Sequence, residues 1–316
     1  MIRITCYYNT NQKNKSIDKI PLVKIHTMKT ILIATDFSHA SRNASLYGVQ
    51  FAKAFNAKII LFNAYKVPSP AAGLGISVSR YDIMMETDKR LLEEADFLDP
   101  KLDIIEILCD EGLPEHSILN IANEKMVDFI ITGMKGSGKN FKKIFGSIAT
   151  SLAKSTNIPV IIVPEEAKFK NPDVIVFAND INIDSDKEIP EKLKSITQLF
   201  KSKLYVVRAI KNENEERFEV YDTPQKFKKT FQVLDTSFQY PVDADIRHAL
   251  NVFIKKHNVG MLVMMPHKHD WIERLFIKSE TKDMIFHMHI PLLVLPEINI
   301  ERKIIKQKTL LNETCW

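Results

Sequence analysis

The sequence predicts an α/β protein of two similar domains, each built on a parallel β-sheet with helices on both faces. Short, nearly continuous apolar runs alternate with segments of helical periodicity, which is typical of parallel strands buried on both sides. The order and spacing of these runs repeat once along the chain. A length of 316 residues is enough for two domains of ordinary size.

Four apolar runs in each half predict strands in matching order. The first run of each half ends in a carboxylate, Asp36 or Asp180, and the last run of each half opens with an Ile-Pro pair. The predicted strands are residues 30–36, 58–64, 127–133 and 158–164 in the first half, and 174–180, 203–209, 259–265 and 290–296 in the second.

Helices are predicted between the strands. Ser38 is a suitable N-cap for a helix whose apolar residues recur at near-helical spacing up to Phe55. Residues 82–98 show a charged helical pattern, Pro114 begins a further helix, and the charged segment 165–173 predicts a linker. We therefore expect a polar extension over 1–27, domains over 28–167 and 168–298, and a tail over 299–316.

Composition excludes several classes of protein. Apolar residues make up 45% and charged residues 26%, as in ordinary globular proteins. No apolar stretch approaches the roughly 20 residues of a membrane helix, and the first residues lack the apolar core of a secretory signal. We expect no membrane association. The three scattered cysteines, Cys6, Cys109 and Cys315, suit a reducing cytoplasm.

The net charge of +5 lies at the ends of the chain. Residues 1–27 contain five Lys or Arg residues and one Asp, which gives +4. Residues 297–316 contain four Lys or Arg residues and three Glu, which gives +1. The stretch between them is neutral. Because a nucleic-acid-binding protein gathers basic charge on its folded part, we expect no nucleic-acid partner.

Four of the nine glycines fall between Gly133 and Gly146, directly after a predicted strand. A strand followed by a glycine-rich loop and a helix is typical of phosphate sites, because glycine lets backbone N–H groups approach the anion. One interpretation is a P-loop opening at Gly133-x4-Gly138-Lys139. That class places a magnesium-binding hydroxyl where this chain has Asn140, and its loop follows the first strand, whereas this loop follows a later one.

A second interpretation is purely structural. The glycines then build a tight turn, and Asp36 caps the helix that begins beyond it. A third interpretation uses another glycine spacing together with three further motifs. These motifs are Gly133-x2-Gly136-x9-Gly146-Ser147, Ala-Thr-Asp36-Phe-Ser, Glu111-Gly112-x-Pro114 and the closing Ile-Pro-Val-Ile-Ile-Val of the first half.

As a set, these motifs resemble the universal stress protein family, over residues 28–164 and in weaker form over 174–296. The resemblance implies two adenine-nucleotide-alpha-hydrolase-like (Rossmann-like) parallel-sheet domains packed as an intrachain pseudo-dimer. Family members usually pair their last strands edge to edge, which here implies contact between Val160–Val163 and Leu292–Leu295.

The resemblance also implies a nucleotide site in the first half. Asp36 is placed at the adenosine, Ala34 in the same pocket, Ala64 beside the adenine, and Thr132 before the first loop glycine. The remaining implied residues, along the ribose and phosphates, are Gly133, Gly136, Gly146, Ser147 and Ile148. Ser147 offers a hydroxyl at a positive helix end. The four loop lysines add charge or form a solvated face: Lys135, Lys139, Lys142 and Lys143.

The second half lacks the loop. Met265, Lys268 and Lys278 stand where the first half has its loop glycines, although Asp180 and Ser279 are retained. Side chains there keep the backbone away from a phosphate, so we expect one nucleotide per chain.

Two His-x-His pairs are the other notable feature of the second half. Imidazole and carboxylate bind zinc, yet such pairs in loops are common without a metal, and we predict no metal site. The residues concerned are His267, His269, His287 and His289, with Glu273 nearby.

The expected function is a stress response through nucleotide-dependent interaction with an unknown protein partner. The expected ligand is ATP, with AMP or ADP as alternatives, with or without magnesium. No nucleophile-base pair or magnesium-binding set accompanies the loop, so ATP hydrolysis is expected to be slow and incidental. The alternatives are an ATP-hydrolysing or adenylating enzyme on a related fold, and an interaction protein whose loop is a relic. Homodimerisation of the whole chain is left open.

Overall fold

The computed structural model describes residues 29–67, 79–101, 104–134, 147–178, 191–208, 234–243, 245–265 and 289–296. Strands and helices alternate over residues 30–164, and two strands follow one another across residues 165–173. The strands are β1 Thr30–Ala34, β2 Lys58–Tyr65, β3 Ile105–Glu111, β4 Phe129–Met134, β5 Val160–Pro164, β6 Val174–Ala178, β7 Lys203–Val207, β8 Thr236–Gln239, β9 Met261–Met264 and β10 Leu292–Val294. The helices are α1 His39–Phe55, α2 Arg80–Leu98, α3 Pro114–Glu124, α4 Ser147–Ser155, α5 Glu191–Phe200 and α6 Ile246–Lys256.

All ten strands form one sheet in the order β3-β2-β1-β4-β5-β10-β9-β6-β7-β8. Each half contributes five strands in the same relative order, because β6, β7, β8, β9 and β10 take the places of β1 to β5. Within each half every pair is parallel. The predicted fold class, two parallel-sheet α/β units packed as an intrachain pseudo-dimer, is confirmed.

Two apolar layers cover the sheet, one on each face. On one face, hereafter the α1 face, α1, α2 and α5 pack against the sheet through residues such as Phe51, Leu91 and Leu193. On the other, the α4 face, α3, α4 and α6 pack through Ile118, Leu152 and Leu250. Because strand residues alternate between the faces, buried strands read as continuous apolar runs in the sequence.

The seam between the halves is the pairing of β5 with β10. These strands are antiparallel, with Leu293 opposite Ile161, as the predicted contact between the two closing strands requires. Aromatic rings reinforce the seam on the α1 face. The ring centroids of Phe51 and Phe200 lie 6.1 Å apart, and Phe55 approaches Phe200 at 6.2 Å. Side chains of α1 and α5 therefore belong to one shared core.

No helix in the described part of the chain is long and apolar enough to cross a membrane.

Candidate functional site

The candidate site lies where the sheet changes direction. The chain passes from β1 through α1 to β2 on one side, and later from β3 through α3 to β4 on the other side of β1. The carboxyl ends of β1 and β4 therefore flank a topological switch point, where α/β sheets bind ligands. Ala34 and Thr132 are register partners at this point.

Side chains on the α4 face become smaller toward the carboxyl ends of these strands. On each of these strands a large buried residue lies two positions before a small one. Ala34 and Thr132 are 9% and 6% exposed. The pairs are Leu32 and Ala34 on β1, Phe62 and Ala64 on β2, and Ile130 and Thr132 on β4. Ala64 and Ile148 border the same apolar layer and are partly buried.

Met134 limits the site on the β4 side. It follows Thr132 on the same face, is 3% exposed, and packs within the α4-face layer. On β5 the register partner of Thr132 is the fully buried Ile162, so the row of small residues runs from β4 toward β2 and not toward β5.

Asp36 lies two residues beyond the end of β1 and is exposed. One of its carboxylate oxygens accepts the backbone N–H of Ser38 at 3.0 Å. Ser38 is the N-cap of α1, as predicted, and its hydroxyl accepts the Ser41 N–H. Asp36 thus supports the turn before α1 rather than capping the helix itself.

The turn between β1 and α1 is held in an unusual conformation. Phe37 has a φ of 61°, in the left-handed region that a bulky residue rarely adopts. The Thr35 hydroxyl accepts the Phe37 N–H at 3.0 Å, and the Asn63 side-chain amide donates to the Thr35 carbonyl at 2.7 Å. The Arg90 guanidinium lies 4.0 Å from the Phe37 ring centroid. Such over-determined strain is often found at functional sites.

Gly133 has a packing role that the sequence did not reveal. A Cβ atom at this position would lie 2.4 Å from the Ala40 carbonyl oxygen and 2.6 Å from its carbon. Glycine therefore lets the first turn of α1 approach β4. This contact lies on the α1 face, opposite to the Thr132 side chain.

The rest of the predicted loop lies outside the described residues. This applies to Gly136, Gly146 and the four loop lysines, whereas Ser147 is described as the first residue of α4 but its side chain is not. The structure brings together Ala34, Ala64, Thr132 and Ile148 around the carboxyl ends of β1, β2 and β4, with Asp36 and Gly133 in the adjoining segments.

The ends of β2 and β3 add polar groups that the sequence analysis did not assign to the site. Ala64 is the register partner of Asp110, and Tyr65 of Glu111. Arg80 forms an ion pair with Glu111 at 2.8 Å. Burial, followed by the charges of Cys109 and Glu111, raises the pKa of Tyr65. Only the strand register identifies Asp110 as a neighbour of Ala64.

A pocket of about 370 Å³ lies at the opposite end of the same strands. Its lining includes Thr30, Lys58, Ile105 and Lys125, at the amino ends of β1, β2 and β3 and beyond the end of α3. It is therefore separate from the switch point.

The second half differs at the equivalent place. Ala178 pairs with Met264 as Ala34 pairs with Thr132, so Met264 occupies the Thr132 position and Met265 the Gly133 position. Asp180, Lys268, Lys278 and Ser279 lie outside the described residues, as do His267, His269, His287 and Glu273. Among the residues that are described, no three His, Cys, Asp or Glu side chains group as metal ligands.

Comparison with known proteins identifies the first half. The model of the universal stress protein family matches residues 27–164. Universal stress protein MJ0531 of Methanocaldococcus jannaschii is 27% identical over 144 residues, 44% of this chain and 84% of the relative. The stress response protein NhaX of Bacillus subtilis is 27% identical over 164 residues, 42% of this chain and 96% of that protein.

The fold extends over both halves. A crystal structure of a universal stress protein from Archaeoglobus fulgidus covers 85% of this chain and 98% of its own, with a TM-score of 0.65 and 17% identity. That likeness concerns the fold alone. The family model and curated members of the family match the first half, so residues 27–164 form a universal stress protein domain.

Proposed function

We propose that this chain binds one adenine nucleotide at the switch point of its first half and acts in a stress response. The ligand is ATP, or AMP or ADP, with or without magnesium. The protein is a tandem universal stress protein whose second half has lost the site. It acts in the cytoplasm by presenting a nucleotide-dependent surface to a protein partner, not by catalysis.

The observation that carries this proposal is the row of small side chains on the α4 face. Ala34, Ala64 and Thr132 replace the large residues found one step deeper on β1, β2 and β4. A flat purine needs apolar surface without bulky side chains, and ligands of α/β sheets bind outside the carboxyl ends of the strands. The family match over residues 27–164 covers the same three strands and supports the same position.

Each remaining residue has a role in this proposal. Asp36 accepts a hydrogen bond from the adenosine, and Ile148 packs against the ligand from α4. Gly136 and Gly146 bring backbone N–H groups to the phosphates, and Ser147 does so at the start of α4. Gly133 combines a place beside the ribose with its packing against α1.

The second half supports a single site. A buried Met264 takes the place of Thr132, and Met265 that of Gly133. Two thioether side chains at the equivalent switch point leave less room for a ring or for a backbone that approaches phosphate.

The proposed absence of catalysis agrees with the environment of the cysteine described near these strand ends, which packs on the α1 face, opposite to the site. Cys109 is the free cysteine described near the carboxyl end of β3. Burial and a hydrogen bond to Asp88 raise its pKa to about 12. A thiol with such a pKa is not a nucleophile near pH 7.

The test is the melting temperature of the full chain titrated with ATP. A ligand present at a hundred times its dissociation constant stabilises the folded protein by about 2.7 kcal/mol. Ala64→Leu places a branched side chain on the site face, and we expect it to abolish most of the shift. Ala54→Leu is a matched control, because Ala54 is exposed on α1 toward its C-terminal end.

A second candidate is an interaction protein that binds no nucleotide. Two observations favour it: Gly133 already has a packing role, and Met134 fills the β4 side of the row. No shift of the wild-type melting temperature at millimolar ATP would support this candidate and contradict ours. Equal ATP-induced shifts of the melting temperature in Ala64→Leu and Ala54→Leu would show that the nucleotide binds elsewhere.

A further inference from the structure

Asp110 lies beside Ala64 on the site face of the sheet. The register of β2 and β3 makes these two residues Cα partners. Leu108 packs against the α4-face layer and Cys109 against the α1-face layer. Because side chains alternate along a strand, the Asp110 side chain stands on the α4 face, in line with Ala64.

The Asp110 carboxylate is half-buried and available. Among the residues that the structure describes, none forms a hydrogen bond or an ion pair with it, whereas the next carboxylate, Glu111, is held by Arg80 at 2.8 Å. A partly desolvated carboxylate without a donor is unfavourable, and a ligand that offers an N–H group relieves that cost.

The position of Asp110 in the sheet selects which end of a nucleotide it meets. β3 is three strands from β4 in the order β3-β2-β1-β4, a separation of roughly 14 Å at the usual strand spacing. In the proposed complex the phosphates lie beyond β4. A carboxylate beside them would repel them, whereas at β3 it faces the base.

Resting on the proposed function, we infer that Asp110 is a specificity-determining residue that accepts a hydrogen bond from the exocyclic amine of the adenine. Ala64 supplies apolar surface against the face of the adenine ring. The Asp110 carboxylate, one strand further out, accepts the hydrogen bond at the edge of that ring. The site thereby prefers a purine that carries an N–H donor on this edge over one that carries none.

The experiment is a cycle of two ligands and two proteins, measured by isothermal titration calorimetry of the full chain. The ligands are ATP and purine riboside 5′-triphosphate, which lacks only the amine. The proteins are the wild type and Asp110→Ala. Glu106→Ala is the matched control, because Glu106 is an exposed carboxylate at the amino end of the same strand.

We expect Asp110→Ala to weaken ATP binding about tenfold or more, as for loss of a charge-assisted hydrogen bond. Binding of the analogue should change by less than about twofold, and Glu106→Ala should leave both affinities unchanged. Asp110→Asn keeps the side-chain shape and serves if the alanine variant melts early. It should show the same preference in weaker form, because the amide keeps a neutral acceptor oxygen.

Two results overturn the inference in different ways. In the first result, the wild type binds ATP, and Asp110→Ala lowers the affinity for both ligands by the same factor or leaves both affinities unchanged. Asp110 then does not contact the amine, and the proposed function stands. If the wild type binds neither ligand, the proposed function fails, and the role of Asp110 fails with it.

Discussion

Gly133 is a residue whose sequence context and structure give two different reasons for the same glycine. The motif assigns it to a ligand loop, whereas in the fold it packs against the backbone of Ala40. Both roles exclude a side chain. A substitution here therefore changes stability before it reports on ligand binding.

Gly133→Ala should lower the free energy of unfolding by about 1–3 kcal/mol, because the new Cβ meets main-chain atoms that cannot rotate away. Gly112→Ala is a useful comparison, since among the described residues its Cβ would meet only the Ser117 hydroxyl, at 2.6 Å. We expect the smaller loss there. Urea denaturation of both variants provides the measurement, and an unchanged midpoint for Gly133→Ala would contradict the packing role.

Cys109 should be an unreactive thiol in the folded protein. Desolvation, followed by the hydrogen bond to Asp88, raises its pKa to about 12. An unfolded thiol ionises near pH 8.5, so the stabilisation from keeping Cys109 protonated is lost as the pH rises from about 8.5 to 12. Modification by Ellman's reagent at pH 8, with Cys6 and Cys315 replaced by serine, should be far slower than in urea.

Asp88→Asn tests the cause of this shift. It removes the acceptor charge, so the pKa of Cys109 should fall and its modification rate at pH 9 should rise. An unchanged rate would mean that burial alone protects the thiol.

At the residue scale, sequence patterns located part of the candidate site. The end of the first strand and the glycine spacing are local patterns in the sequence, and the family resemblance implied the small residues Ala34, Ala64 and Thr132. The structure places these three at neighbouring strand ends, whereas the roles of Gly136 and Gly146 stay predictions. Asp110 was missed, since only the pairing of β2 with β3 shows that it stands beside Ala64.

At the scale of elements, the turn from β1 into α1 determines where the site residues stand. The Ser38 cap, the Asp36 bond to the Ser38 amide and the left-handed Phe37 fix the direction in which α1 leaves the sheet. Holding Phe37 in this conformation costs about 1 kcal/mol or more. Its ring contributes by packing against the α1-face layer and Arg90.

Ser38→Ala should destabilise the protein by about 1 kcal/mol, because it removes the acceptor for the Ser41 N–H at the start of α1. Ser38→Gly should cost only a few tenths of a kcal/mol. Thermal denaturation compares the two. Equal losses would show that the serine acts through its other contacts and not as the cap.

The strands that the sequence analysis identified are the central ones. Buried on both faces, they read as continuous apolar runs. β3 and β8 were not identified as strands, because both are edge strands, with sequences IEILCDE and TSFQ that mix polar and apolar residues. The central strands were therefore predicted from the apolar runs that burial on two faces requires, and not from strand propensity.

At the scale of the whole molecule, the seam joins the halves through backbone and core together. The backbone groups at the facing edges of β5 and β10 pair with one another. Phe51, Phe55 and Phe200 pack across the boundary between the halves. Burying one such ring stabilises the fold by about 1.5–3 kcal/mol. The halves are therefore expected to unfold together.

Residues 28–167 produced alone should self-associate. The fragment would expose the β5 edge and the aromatic side of α1, which the second half covers in the full chain. Sedimentation velocity should give twice the fragment's mass, and added residues 168–298 should replace the homodimer with a heterodimer. A fragment that stays monomeric at tens of micromolar would contradict the importance of the seam.

The direction of the seam has a consequence for communication within the protein. β5 and β10 run in opposite directions, while every other described pair is parallel. The carboxyl ends of the strands of the two halves therefore lie at opposite rims of the sheet. A ligand at the strand ends of the first half would therefore lie on the opposite rim from the strand ends of the second half. Any effect of such a ligand on the second half would have to pass through the two apolar layers that both halves share.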